Sequence, residues 1–188
     1  MRHAAGASML FALLAMPALV GPSRAETAKP GAAPAPVTAD PSVTTATYGD
    51  WIARCEQGTG DQSQRICEAV QTVQLPNQQA AAAQIAFGHS ASKDPLKLVV
   101  VVPVDVWFPS TVKVSAGDKD TNPIELPWRR CLPVGCFAES ASSDDAAKRW
   151  HGESGQGRIV YRNGLNRDVT LPVSFRGLAQ ALDALAKQ

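Results

Sequence analysis

Residues 65–75 read RICEAVQTVQL, and residues 51–55, a short way upstream, read WIARC. In the longer stretch Cys67, Ala69, Gln71, Val73 and Leu75 fall on one side of a period-two repeat, with Ile66, Glu68, Val70, Thr72 and Gln74 on the other. Alternation over that length argues a β-strand and not a helix. Trp51, Ala53 and Cys55 alternate in the same way with Ile52 and Arg54. The polar run EQGTGDQSQ at 56–64 separates the two stretches, so they fold back on one another as a hairpin. Cys55 and Cys67 then stand near its loop end, across from one another.

The same signals recur downstream. Residues 80–88 (AAAAQIAFG) are divided between the helix preference of alanine and a strand-like QIAF, and their place between strands favours strand. Residues 96–102 (LKLVVVV) are the clearest strand, because consecutive β-branched valines resist a helix. That run implies burial on both faces, and Pro103 ends it. Residues 105–109 (DVWFP) form a loop, 111–116 (TVKVSA) alternate, and 117–120 (GDKD) supply a turn. Residues 124–128 (IELPW) make a short strand leading to Cys131, with 137–139 as its returning partner. Residues 142–150 (SSDDAAKRW) read as a short helix, with serine oxygens and Asp144 and Asp145 at its start. Asn163-Gly164 is a hairpin-turn signal between 157–162 and 167–173. Ser174 is the expected cap of a final helix whose Phe175, Leu178, Ala179, Leu182, Leu185 and Ala186 share a face. Roughly eight or nine short strands and two helices predict a mainly β fold. The expected form is an antiparallel immunoglobulin-like β-sandwich with a short helix and a C-terminal helix.

The first 25 residues have the layout of a cleavable signal peptide: a basic start at Arg2 and His3, an apolar run at 9–20, and small residues ending at Ala25. Cleavage is expected near Ala25, with no stable transmembrane anchor and a periplasmic, outer-surface or secreted location. Residues 26–47 are rich in Ala, Pro and Thr and read as a disordered tether. The folded domain is expected over 48–188. The whole chain carries a net charge of +1, and loss of the leader with Arg2 and Arg24 leaves −1. Such neutrality argues against nucleic acid as a partner.

Four cysteines, Cys55, Cys67, Cys131 and Cys136, imply disulfides in an exported chain. Three pairings are open. The two local loops, Cys55–Cys67 and Cys131–Cys136, are favoured. Paired C-x2-C zinc knuckles are absent, and Cys131-Leu-Pro-Val-Gly-Cys136 is not a C-x-x-C redox motif. No catalytic residue, metal ligand or cofactor is expected. His89 and His151 stand at element ends, away from a nucleophile. Asp118 and Asp120 belong to a turn, and Asp144 and Asp145 to a helix start. Asp118-x-Asp120-x-Asn122 lacks the Gly and distal Glu of a calcium loop. Trp107 and Phe108, in a proline-bounded loop, have two readings. They form an exposed protein-contact knob, or they fold back to seal one end of the domain. Folding back is the favoured one. Trp51 and Trp128 are expected in the core against the disulfides.

From Tyr48 onward the chain carries an ordered set: Tyr48-Gly49-Asp50-Trp51 before Cys55, Cys67-Glu68-Ala69-Val70-Gln71, a strand ending at Pro103-Val104-Asp105-Val106, Cys131-x4-Cys136 with Gly135, and Leu171-Pro172-Val173-Ser174-Phe175-Arg176-Gly177-Leu178. In this order the set resembles the invasion-associated locus B family of exported bacterial proteins. The resemblance covers nearly all of the expected folded region. It implies a β-sandwich domain, a periplasmic or outer-surface place in a Gram-negative envelope, and a role connected with host-cell invasion. Asp105 departs from the glycine expected at that position. The combined expectation is a non-enzymatic binding protein whose partner is an unknown protein or envelope component. A thiol-redox or other enzymatic accessory of the periplasm, and an envelope structural or chaperone-like factor, are the alternatives.

Overall fold

The computed structural model describes residues 42–57, 65–90, 94–117, 120–140 and 143–187. The expected leader, most of the expected tether, the 56–64 loop beyond Gln57, Asp118 and Ser142 lie outside the described residues. Among the described residues ten strands occur in chain order: β1 Val43–Tyr48, β2 Trp51–Gln57, β3 Arg65–Val73, β4 Ala83–Gly88, β5 Lys97–Val102, β6 Thr111–Ser115, β7 Ile124–Leu132, β8 Gly135–Glu139, β9 Gln156–Arg162 and β10 Asp168–Ser174. Helix α1 spans Asp144–Trp150, and α2 spans Leu178–Leu185. The strands pair antiparallel in the order β1-β2-β3-β4-β5-β8-β7-β6-β9-β10. The fold is therefore mainly β and antiparallel, with one short and one C-terminal helix. The ladder is continuous through the long strand β7, whose register shifts between Trp128 and Arg130.

The period-two pattern sorts side chains as the hairpin reading requires. Trp51, Ala53 and Cys55 of β2 are buried, as are Cys67, Ala69, Gln71 and Val73 of β3, while Ile52 and Arg54 are exposed. Cys55 lies directly opposite Cys67 in the β2–β3 register, and the two are bonded. Cys131 and Cys136 likewise face one another across the β7–β8 hairpin and are bonded.

Several local expectations change. Residues 43–47, read as the end of a tether, belong to β1 and pair with β2 from Val43↔Glu56 to Tyr48↔Trp51. An edge strand is held by its backbone ladder and by β-branched residues such as Val43 and the threonines, and needs little burial. In β5, Leu98, Val100 and Val102 are buried but Val99 and Val101 are only half-buried, so the run is not buried equally on both faces. Ser174 is the last residue of β10 and not a helix cap; Gly177 precedes α2, with φ of 91°. On α2 the buried residues are Leu178, Ala181, Leu182 and Leu185, so Ala181 takes the place expected of Ala179 and Ala186. Ser143 stands before α1 without capping it by its side chain. Its Oγ accepts instead from the buried Leu98 N–H at 2.8 Å.

The end of β10 folds over the inner side of β2 and β3. The Gln71 carboxamide donates to Ser174 O at 2.9 Å and accepts from Ser174 N at 2.9 Å. Trp51 Nε1 donates to the same carbonyl at 2.8 Å. This is why a glutamine can be buried in the core: both ends of its amide are satisfied. Trp51, Phe87, Trp150 and Phe175 form a run of ring contacts through the core, with centroids 6.2, 6.1 and 5.2 Å apart in turn. Trp128 meets Tyr161 edge to face at 6.4 Å.

A candidate protein-contact surface

Three connections converge at one end of the sheet: β5 to β6, β7 to β8, and β9 to β10. Val102 pairs with Cys136, so the end of β5 adjoins the β7–β8 turn. Pro103, Val104, Pro133, Val134 and Gly135 line one shallow cavity of about 400 Å³ there. The β5–β6 loop then crosses to the β9–β10 turn. Trp107 N donates to Arg162 O at 2.9 Å, and Gly164 N donates to Asp105 Oδ1 at 3.1 Å. The loop closes on itself through Ser110 N to Trp107 O at 3.0 Å.

Within this loop only Val106 enters the core. Its neighbours face out: Val104 is 61% exposed, Trp107 39% and Phe108 60%. Val134 at 79% and Leu165 at 70% add the tips of the other two turns. The favoured expectation that Trp107 and Phe108 fold back is therefore overturned. The physical reason is that the seal is made by Val106, while the backbone of the next residue, Trp107, is fixed by its bond to Arg162 O. Asp105, the departure from the family pattern, is the anchor of that arrangement. A Cβ on Gly164 would stand 2.2 Å from Asp105 Oδ1, so the glycine permits the close approach.

The turns that carry the apolar tips are well braced. Asn163 Oδ1 accepts from Leu165 N at 3.1 Å and Arg167 N at 3.0 Å. Arg162 donates to Asp168 Oδ1 at 3.1 Å and to Asn166 Oδ1 at 3.0 Å. The Cys131–Cys136 bond closes the Val134 turn, and Cys136 is fully buried beneath it. Tyr161, at the adjoining strand end, has its phenol pushed to a higher pKa by burial and then by the charge of Asp105. Apolar side chains on rigid, hydrogen-bonded turns lose little entropy when covered, which suits them to contact with another surface.

A second surface was not anticipated. The outward side chains of β2, β3, β4, β5 and β8 form a concave face enclosing about 760 Å³. Its floor includes Val70, Ala86, Val99, Val101 and Phe137. Four of its charges pair, Arg54 with Glu68 and Arg130 with Glu139, Lys97 donates to Ser90, and the Arg130 guanidinium lies 4.7 Å from the Phe137 ring centre. The signal that could have found it was the apolar residues on the outward positions of β3 and β5.

The remaining sequence candidates are structural. His151 follows α1, and its Nε2 lies 2.9 Å from Asp183 Oδ1. His89 Nδ1 lies 2.6 Å from Asp94 O. Asp120 holds its own turn by accepting from Ala116 N at 2.8 Å and Asn122 N at 3.0 Å. Among the described residues no group of three or more His, Cys, Asp or Glu is placed to hold a metal ion. No helix among them is long and apolar enough to cross a membrane.

The fold and its surface define an antiparallel β domain, stapled by two disulfides and exposing large apolar side chains on its loops. The family model described as invasion associated locus B (IalB) protein matches residues 51–186, and the chain belongs to that family. The crystal structure of invasion associated protein B from Bartonella henselae is similar in fold, with a TM-score of 0.61 at 18% identity over 77% of this chain and 96% of that one. A comparison with curated proteins gives no match.

Proposed function

We propose that this chain is an exported, non-enzymatic protein of the bacterial envelope that acts by binding, through the surface formed by Val104, Trp107, Phe108, Val134 and Leu165. The observation that carries the reading is the outward placement of five large apolar side chains on three braced turns at one end. Apolar clusters of this kind on a soluble domain mark contact sites, and aromatic residues concentrate the binding energy. Membership of a family named for invasion supports a contribution to host-cell invasion as the setting. The partner is a protein or envelope component. Export follows from the signal-peptide layout, with cleavage near Ala25 and a short Ala/Pro/Thr-rich spacer before the domain. The overall shape is a sandwich, supported by the bonds that bring Ser174 of β10 over Gln71 of β3.

A photo-crosslinking side chain at position 108, with the same group at the exposed Glu153 as control, tests the reading on living cells. A crosslinked species specific to position 108 is expected. Equal or absent crosslinking at both positions contradicts it.

A further inference from the structure

Among the described residues the sheet has two edges, β1 and β10, and they are defended differently. Strand β10 carries Pro172 near its middle and a charge at Asp168. A proline inside an edge strand turns its nitrogen away from the ladder and interrupts any further pairing, and edge charges oppose it. Strand β1 reads VTTATY, with no charge and no proline, and four of its six residues are β-branched. It lacks the usual safeguards of a free edge while having high strand propensity.

The hydrogen-bond phase of β1 follows from its register. Gln57 N donates to Ser42 O at 2.8 Å, and Tyr48 lies opposite Trp51 at the closing turn. Facing groups alternate along an antiparallel ladder, so Thr44 and Ala46 bond to β2. Val43, Thr45 and Thr47 therefore direct their N–H and C=O groups to the free side. All three are exposed.

We propose that β1 is the pairing edge for a second copy of this chain, joined antiparallel about a two-fold axis at Thr45. In that register Thr45 faces Thr45 of the other copy, and Val43 faces Thr47 on either side. Every outward N–H then meets an outward C=O, so all three residues of each copy both donate and accept. A two-fold contact needs a self-complementary surface, and a neutral strand with its outward groups centred on one residue is one. The nearest charges on β2, Arg54 and Glu56, are held by each other and by Glu68, so pairing sets no free like charges together. A single six-residue edge, about 20 Å long, covers less area than a standard interface buries, so the dimer is weak and concentration-dependent.

Sedimentation of the full exported chain, from about 1 μM to 1 mM, tests this in the weak-association range. The expected result is a mass that climbs towards twice the monomer value, unaffected by high salt. Thr45→Pro removes an outward N–H and fixes φ at an edge position whose N–H lies outside the β1–β2 ladder, and the Thr45→Lys, Thr47→Lys double variant guards the edge without touching the backbone. Either is expected to weaken association at least tenfold while thermal unfolding of the monomer is unchanged. A wild-type chain that stays monomeric overturns the proposal. So does a dimer that survives both variants, or a β1-dependent complex with some other protein and none with itself. The dimer is independent of the loop surface, so Phe108→Asp is expected to leave it intact.

Discussion

Gly177→Ala is expected to destabilise the domain by about 4 kcal/mol, the sum of two effects of about 1–3 kcal/mol each. The first is backbone strain, because Gly177 has φ of 91° and an alanine adopts that conformation poorly. The second is overlap. A Cβ at this position would stand 1.9 Å from Tyr48 O, 2.4 Å from Tyr48 C and 2.9 Å from Gly49 N. All three are backbone atoms, so no side-chain rotation relieves the clash. The β1–β2 turn cannot simply retreat, because Asp50 N donates to Arg176 O at 3.0 Å and the Asp50 carboxylate accepts from the Arg176 side chain. Urea unfolding followed by tryptophan fluorescence, with disulfides intact, measures the loss. Gly152→Ala is the control, since nothing lies within 4 Å of a Cβ there. It is expected to change stability by no more than about 0.5 kcal/mol. A Gly177→Ala protein within about 1 kcal/mol of wild type would show that the β10–α2 junction is looser than its geometry implies.

Three further outcomes are expected. Replacing both Cys55 and Cys67 with serine opens a loop of 12-residue separation and costs about 3 kcal/mol on the chain-entropy account, read from the same urea transition. Asp50 is held below the ordinary carboxylate pKa by hydrogen bonds from Arg176 and then Ser174. Its contribution is therefore present above the unfolded value of about 3.9 and is lost as pH falls through the lower folded value, so an Asp50→Asn deficit in melting temperature seen at pH 7 is expected to close under stronger acid. Because the pair is largely exposed to solvent, that deficit is small. Phe108→Asp and Val134→Asp are expected to leave stability within about 0.5 kcal/mol of wild type, as surface positions do, which a thermal melt checks.

Alternation made β2 and β3 legible, because a half-buried strand writes its own burial into every second residue, and consecutive β-branched valines did so for β5. Cys55 and Cys67 were legible for the same reason: once the hairpin is drawn, the register sets them opposite. β1 was hidden because Val43–Tyr48 buries little and is held by backbone bonds to β2, which composition does not display. Ser174 has the local look of a helix cap, yet its surroundings are decided by Gln71 and Trp51, more than a hundred residues away. The outward pose of Phe108 was equally nonlocal, since it depends on Arg162 O and on Asp105 reaching Gly164. The concave face was missed because Val99 and Val101, in an apolar run, read as core when they line a half-open floor.

The claim on which the functional reading stands is that the three apolar turns are what the chain binds with. Retention of labelled exported chain on envelope fractions and on host-cell surfaces, wild type against the Phe108→Asp, Val134→Asp, Leu165→Asp triple variant, measures it directly. A drop of tenfold or more with the fold intact is expected on at least one of the two surfaces, the size that losing a single aromatic anchor produces. Equal retention of the two proteins on both surfaces would contradict the account.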